Sequence, residues 1–197
     1  AHYGNLYLDD EAFAPLFEKL EEYRMTVYVH HTPVPVDHGS LLAYNNLRRS
    51  YGRCVDQMTA VCREMMSGMF ERYPHVRMVH SMLGGGFFAF KEMMVPTRSA
   101  GADQVKRFDD NGEQLARYLS ENIFFETSHA QPWGRESLEC AVRVLGSDHI
   151  IYGSSYPVRT EWLTEGAGFV RGMDLSGDDK ENILWRNASR LYGIEVS

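Results

Sequence analysis

Four short runs of β-branched and aromatic residues alternate with amphipathic segments along the chain, and this alternation constrains the fold most strongly. The runs span 26–30, 76–80, 123–127 and 149–153. Each is followed by at least one segment in which apolar residues recur at helical spacing, and no internal repeat interrupts the series. Strands that alternate with helices are typical of parallel βα units joined by right-handed crossovers. The sequence therefore predicts an α/β fold with a parallel sheet.

The segments between these runs predict the helices. A first helix begins at Asp9 and Asp10, whose carboxylates favour a helix N-terminus. A long helix spans 54–73, and we interpret the methionines on its apolar face as core packing rather than a cofactor site. The remaining predicted helices span 87–94, 113–120, 136–145, 160–172 and 178–192, with a loop or irregular helix at 37–50 and a loop at 97–112.

The composition and charge of the chain exclude several classes of protein. Its 197 residues include 20 Lys and Arg against 27 Asp and Glu, a net charge of −7. Such a chain lacks the basic surface of nucleic-acid binders, and its densest basic cluster, Arg48, Arg49 and Arg53, is too small to change this. No stretch reaches the roughly 18–20 apolar residues of a membrane span, and no signal peptide or disulfide framework is visible. We predict one cytoplasmic domain over residues 1–197, without nucleic-acid or membrane partners.

Polar side chains follow each of the four predicted strands. They are His30, His31, His80, Glu126, His129 and Ser155. Because the carboxyl ends of parallel strands meet at one edge of a sheet, and ligands gather there, these side chains predict a functional site.

Each candidate residue at the strand ends also has a purely structural interpretation. His30 could ligate a divalent metal through a neutral imidazole, or it could simply hydrogen-bond the backbone. Glu126 could exchange protons, or it could be solvated or paired with a cation. Ser155 offers a hydroxyl without charge, and no GxSxG motif makes it a nucleophile. The triple glycine at 84–86 could bind an anion or permit a tight turn between a strand and a helix.

Seven segments carry a resemblance to a known family. They are Leu8–Phe13, Val27–His30, Arg72–Pro74, Met82–Gly85, Phe125–Ser128, Tyr152–Pro157 and Asn187–Gly193. In order and spacing, this set resembles the amidohydrolase-related family typified by aminocarboxymuconate-semialdehyde decarboxylase and the resorcylate decarboxylases. The resemblance covers nearly the whole chain and is specific as a set, although each segment alone is weak.

The resemblance implies a (β/α)8 TIM-barrel fold of which this chain holds the C-terminal four βα units, matching strands five to eight. A complete barrel usually needs about 250 residues, so the missing half is expected from the same polypeptide, another chain or a second copy. A half-barrel has open sheet edges and an uncovered inner face. We therefore expect a homo- or hetero-oligomer.

The resemblance also implies a divalent metal, zinc or manganese, with ligands on strands one, five and eight and an assisting histidine on strand six. His30 matches the strand-five ligand. Met82 stands in place of the strand-six histidine, with His80 two residues upstream, and Ser155 stands in place of the strand-eight aspartate. The chain contains no His-x-His motif, which the family carries on strand one. The metal site is therefore expected to be degenerate, with the metal retained in a rebuilt site or lost.

Two functions follow from the resemblance. The first is a hydrolase or decarboxylase-like lyase acting on a small carboxylated or aromatic substrate. In it, His30 binds the metal or the substrate, His80 or Glu126 transfers protons, and Ser155 hydrogen-bonds the substrate. The second is a non-catalytic subunit that completes or stabilises an active homologous barrel.

Overall fold

A four-stranded parallel sheet organises the chain, as the alternation of strands and helices predicts. The computed structural model describes residues 1–95 and 112–195. The sheet contains the strands β3 (Thr26–Val29), β4 (Arg77–His80), β5 (Ile123–Glu126) and β6 (Ile150–Ile151), hydrogen-bonded in that order. All three pairs are parallel, with Val29 opposite His80, and Glu126 opposite Ile151. The carboxyl ends of the four strands therefore meet at one edge, as expected.

A small hairpin precedes the sheet and was not predicted. Its strands β1 (His2–Tyr3) and β2 (Leu6–Tyr7) pair antiparallel. Two-residue strands carry no detectable alternation, so the sequence pattern does not predict this hairpin.

Helices separate the strands. They are α1 (Ala14–Glu22), α2 (Gly52–Met66), α3 (Met69–Arg72), α4 (Lys91–Met94), α5 (Gly112–Glu121), α6 (Ala130–Trp133), α7 (Arg135–Leu145), α8 (Thr160–Arg171), α9 (Gly177–Glu181) and α10 (Asn187–Tyr192). Shorter helical turns cover Glu11–Phe13, Gly39–Leu41, Leu47–Tyr51, Phe87–Ala89, Ser147–His149 and Asn182–Arg186. Of the described residues, none belongs to a helix long and apolar enough to cross a membrane.

Several predicted boundaries differ from the structure for local reasons. The helix predicted over 54–73 is divided at Gly68, whose φ of 72° is left-handed and separates α2 from α3. The fourth strand was predicted over 149–153, but only Ile150–Ile151 pairs with β5. The loop predicted over 97–112 lies, apart from Gly112, outside the described residues.

A left-handed turn over Ser81–Gly86 follows β4 directly. Met82 and Leu83 have φ values of 54° and 50°, a conformation that costs an L-residue with a side chain roughly 1–2 kcal/mol. The three glycines that complete the turn adopt it without that cost. At Gly85 the turn also meets α2, because a Cβ there would lie 1.9 Å from the carbonyl oxygen of Cys54. The triple glycine therefore permits both the turn and its close contact with α2.

The hydrophobic core lies between the sheet and its helices. Val29, Met78, Phe125 and Ile150 from the four strands are all buried in one cluster with Val61 of α2. This packing fixes α2 against the sheet, and its first turn is thereby held close to the carboxyl ends of the strands.

Candidate functional site

A cavity of ≈ 810 Å³ lies at the carboxyl ends of the strands, within the range of about 300–1,000 Å³ that is typical of small-molecule sites. A chemical role is predicted from the sequence for His30, His80, Glu126 and Ser155. All of these except His80 line the cavity. The other residues that line it include Tyr28, His31, Arg49, Arg53, Met82, Ser128, His129, Trp133 and Trp162.

Glu126 is a buried carboxyl at the wall of this cavity. It is only 6% exposed. Its Oε1 accepts a hydrogen bond from the Ser128 N–H at 2.6 Å, and its Oε2 accepts from the Ser128 hydroxyl at 2.8 Å and from the Tyr28 hydroxyl at 2.9 Å. Burial raises the pKa of Glu126 above its usual range, and these hydrogen bonds oppose the shift only in part. Burial, followed by the Glu126 carboxyl, likewise raises the pKa of Tyr28. Glu126 is therefore placed to hold and release a proton.

The end of β6 makes room for this carboxyl. A Cβ at Gly153 would lie 1.3 Å from Oε1 of Glu126, far closer than any non-bonded approach. Thr127 ties the two strand ends together, because its Oγ1 accepts from the Gly153 N–H at 3.0 Å and donates to the Gly153 carbonyl at 3.2 Å. The position of Glu126 therefore depends on a residue without a side chain at 153.

His30 presents one free ring nitrogen. Its Nδ1 lies 2.8 Å from the carbonyl oxygen of His31. Since a carbonyl only accepts, Nδ1 is the donor, and in the neutral ring Nε2 carries the lone pair. This is the arrangement in which histidines ligate metals. The ring also stacks on His31, with centroids 4.2 Å apart.

His31 and His129 are held neutral around the cavity. Burial, followed by the charges of His30 and Arg53, lowers the pKa of His31 to about 3. Burial and then the Arg53 charge lower the pKa of His129. The His129 ring stacks on Trp162 at 4.7 Å, and its Nδ1 lies 3.4 Å from the Ser155 hydroxyl. The cavity wall therefore offers neutral rings and hydroxyls beside a cationic guanidinium.

The structure does not bring His80 to the cavity. Its side chain is fully buried and points towards α2, where Nδ1 lies 3.0 Å from Gln57 Oε1 and Nε2 lies 2.8 Å from Glu64 Oε2. Consecutive residues of a strand face opposite sides of the sheet, and His80 shares the helix side with Met78. Its position links β4 to α2 and gives no access to a ligand in the cavity.

The residues present do not fit a metal site by themselves. Within 1–95 and 112–195, no group of three or more His, Cys, Asp or Glu side chains is arranged to hold a metal ion. Met82 lines the cavity with a thioether and Ser155 with a hydroxyl, neither of which provides the charge of a carboxylate ligand. Of the three ligand positions expected from the sequence, only His30 offers an imidazole, so no chemical step is assigned to a metal.

Two arginines of the cavity, Arg49 and Arg53, are not among the site residues predicted from the sequence. Both belong to the basic cluster that was weighed only against nucleic-acid binding. Among the described residues that line the cavity, Glu126 is the only acid. The lining is therefore cationic in a chain whose net charge is −7.

Comparison with known proteins points to one family. A sequence model of the family described as Amidohydrolase matches residues 1–194. Gamma-resorcylate decarboxylase from Polaromonas sp. (strain JS666) is 25% identical over 198 residues, which cover 96% of this chain and 57% of the relative. The 2-amino-3-carboxymuconate-6-semialdehyde decarboxylase of Dictyostelium discoideum is 22% identical, with 95% and 50% covered. The chain thus spans about half the length of these relatives.

Solved structures share the fold. A 5-carboxyvanillate decarboxylase from Novosphingobium aromaticivorans, with bound manganese and 3-methoxy-4-hydroxy-5-nitrobenzoic acid, superimposes with a TM-score of 0.80 at 22% identity, covering 98% of this chain and 55% of that one. A dihydroxybenzoic acid decarboxylase from Polaromonas sp. JS666, with bound manganese and 2-nitroresorcinol, gives a TM-score of 0.75 at 20% identity, covering 98% and 57%. At these identities the likeness concerns the fold.

Proposed function

This chain belongs to the amidohydrolase family, and from that premise we propose that its cavity takes part in the decarboxylation of a small aromatic carboxylic acid. The observation that carries the proposal is Glu126, a buried carboxyl with a raised pKa at the wall of a cavity at the strand ends. Loss of CO₂ from an aromatic ring needs a proton for the ring carbon. A carboxylic acid whose pKa lies nearer neutrality is suited to supply it.

The reaction balances with Glu126 as the proton donor. The proton of the carboxyl passes to the ring carbon that bears the carboxylate, and the bond between that carbon and the carboxylate then breaks. The electron pair of the broken bond returns to the ring, CO₂ departs, and Glu126 is left as a carboxylate. Hydrogen bonds from Tyr28 and Ser128 stabilise that anion, and solvent returns the proton.

Ser155 and His129 have supporting roles in this proposal. The Ser155 hydroxyl and the His129 ring lie together on the cavity wall, where they can hydrogen-bond ring substituents of the substrate. The stacked pair of His129 and Trp162 offers a flat surface beside an aromatic ring. His30 stays a predicted metal or substrate ligand on the strength of its free Nε2. His80 is left out because it lies on the helix side of the sheet.

We further propose that the chain forms one domain over 1–197 and corresponds to the C-terminal four βα units of an eight-stranded barrel. The parallel order of β3 to β6 and the half-length match to the relatives support this placement. The same proposal includes the decarboxylase activity of a complete barrel, assembly into a homo- or hetero-oligomer and a cytoplasmic location.

A second function is favoured by one specific observation. The described residues do not assemble a group of three metal ligands, whereas the solved decarboxylases named above hold manganese. A non-catalytic subunit that stabilises an active homologue would tolerate such a loss.

Turnover of 2,6-dihydroxybenzoate and related hydroxybenzoates tests the first function. The assay follows CO₂ release and, in D₂O, deuterium at the ring carbon. We expect wild-type protein to release CO₂ and the Glu126→Gln variant to be slower by about 10²-fold or more, the usual range for losing a general acid. Glu18→Gln, at an exposed position on α1, is the matched control and should keep the wild-type rate. An unchanged rate in Glu126→Gln would refute the role of Glu126.

Metal content and native mass separate the second function from the first. A non-catalytic subunit should turn over none of these acids and should be isolated with a larger homologous chain. Stoichiometric zinc or manganese in the purified protein, lost on His30→Ala, would contradict that alternative.

A further inference from the structure

Arg53 is a cation of the cavity to which no other described residue is hydrogen-bonded or ion-paired. It lies in the first turn of α2 and its side chain lines the cavity. Its Nε is buried and makes no hydrogen bond. Among the described residues, no acceptor or acid is paired with its guanidinium. A buried N–H without an acceptor is costly, so this group is suited to an acceptor that the described residues do not supply.

The guanidinium charge acts directly on the centre of the cavity. It is among the causes that lower the pKa of His129, which lies across the cavity on the segment after β5. Glu126, the only acid among the described lining residues, is held by Ser128 and Tyr28 instead. The charge of Arg53 is therefore not neutralised within the described part of the site.

The chemistry of a guanidinium identifies its ligand. Its planar fork of N–H groups matches a carboxylate, which it binds through two parallel charge-assisted hydrogen bonds. The flat surface of His129 and Trp162, stacked at 4.7 Å, adds affinity for an aromatic ring that bears such a group. The cavity therefore suits an aromatic anion.

The electrostatics of decarboxylation show which anionic group suits Arg53. The carboxylate that leaves as CO₂ loses its negative charge as the bond breaks, so a cation bound to it would stabilise the substrate more than the transition state. An anionic group that keeps its charge throughout gives equal binding in both states and raises affinity without slowing the reaction.

We propose that Arg53 binds a second anionic group of the substrate, one that is retained in the product, so that the substrate class is an aromatic dicarboxylate. The inference rests on the proposed function for the identity of the reacting group, but not for the binding itself. It makes Arg53 a specificity-determining residue, while Glu126 remains the proton donor.

Equilibrium binding of isophthalate, an aromatic dicarboxylate without the activating hydroxyls, tests the proposal without turnover. Calorimetry should show wild-type protein binding isophthalate more tightly than benzoate. Arg53→Gln should weaken isophthalate binding by about tenfold or more, as expected for a lost charge-assisted pair, and Arg53→Lys should have an intermediate effect. Arg63→Gln is the matched control, because Arg63 lies on the same helix but pairs with Asp9 outside the cavity. Equal affinity in Arg53→Gln and wild-type protein, or no binding by either, would overturn the proposal.

Kinetics on a hydroxylated isophthalate then identify the group that Arg53 holds. We expect Arg53→Gln to raise KM and to leave kcat unchanged, and a matching fall in kcat would mean that Arg53 contacts the departing carboxylate. Tight, Arg53-dependent binding of isophthalate, combined with no CO₂ release from the hydroxylated isophthalate, would support this site and refute the decarboxylase function. CO₂ release whose KM and kcat are unaffected by Arg53→Gln would support the decarboxylase function and refute this site.

Discussion

Replacing Glu126 by glutamine tests whether this carboxyl is protonated in the folded protein, through the pH dependence of stability. Burial raises the pKa of Glu126 above the ordinary value of 4.5. Between 4.5 and the raised pKa, the folded protein holds a proton that the unfolded chain has released. The contribution of Glu126 to stability is therefore fully present below pH 4.5 and is lost as the pH rises through the folded pKa.

The size of the effect follows from this one proton. The free energy of unfolding falls by up to about 1.4 kcal/mol per pH unit within that window and levels off above it. Glutamine removes the titration but keeps the shape. In the variant, the glutamine oxygen can still accept from the Ser128 N–H. Its NH₂ group can donate to the hydroxyl oxygens of Ser128 and Tyr28, which lie 2.8 and 2.9 Å from the carboxyl in the wild type. The direct cost of the exchange should therefore stay below about 1.5 kcal/mol.

Urea unfolding at half-unit steps from pH 5 to pH 8 measures both quantities. The lowered pKa values of His31 and His129 give the opposite dependence, with stability rising as the pH approaches the ordinary histidine value of 6.5. Those groups are present in both proteins, so they cancel in the difference between wild type and Glu126→Gln. The control Glu18→Gln, at an exposed position, should show a difference from wild type that does not vary with pH.

Relative to Glu126→Gln, wild-type protein should lose stability as the pH rises from 5. A difference that is flat over the whole range, or that grows in favour of wild type, would mean that Glu126 is ionised in the folded protein. The proton-donor role would then fail with it.

Two further predictions concern stability. Gly85→Ala should destabilise the protein by more than about 4 kcal/mol, because the new Cβ would lie 1.9 Å from the Cys54 carbonyl oxygen. Gly193→Ala, at a similar φ with nothing within 4 Å, should cost only about 1–2 kcal/mol, and equal thermal shifts in the two variants would contradict the contact argument. Glu64→Ala should cost about 1–3 kcal/mol, since it leaves the buried Nε2 of His80 without its partner at 2.8 Å. The free energy of unfolding is measured by urea denaturation. A decrease below about 1 kcal/mol, the net value of a neutral hydrogen bond, would show that this pair is dispensable.

The strands and their common edge could be predicted from the sequence because they depend on local patterns. Alternation of strands and helices implies parallel order, and parallel order brings the carboxyl ends together. His30, Glu126 and Ser155 reach the cavity for that reason alone. The three residues are separated by up to 125 positions in the chain, yet no tertiary information was needed to group them.

The orientation of His80 could not be predicted in the same way. Three of the four residues of β4 are buried, and a strand buried on both faces has no alternation to show which side chains face the helices. The location of Arg53 in the cavity could not be predicted for a different reason. A charged residue at the start of a helix is usually solvated, and only the packing of α2 against the sheet brings this one to the cavity.

The contact between Gly153 and Glu126 restricts the order in which the sequence can change during evolution. Any side chain at 153 would overlap Oε1, so a substitution there is tolerated only after Glu126 has been replaced by a shorter residue. The reverse order passes through an intermediate that cannot hold the present backbone. In homologues that have kept the carboxyl we therefore expect glycine at 153, while lineages that have lost it are free to vary at both positions. The pair thus indicates, in any homologous sequence, whether the buried carboxyl is still under selection.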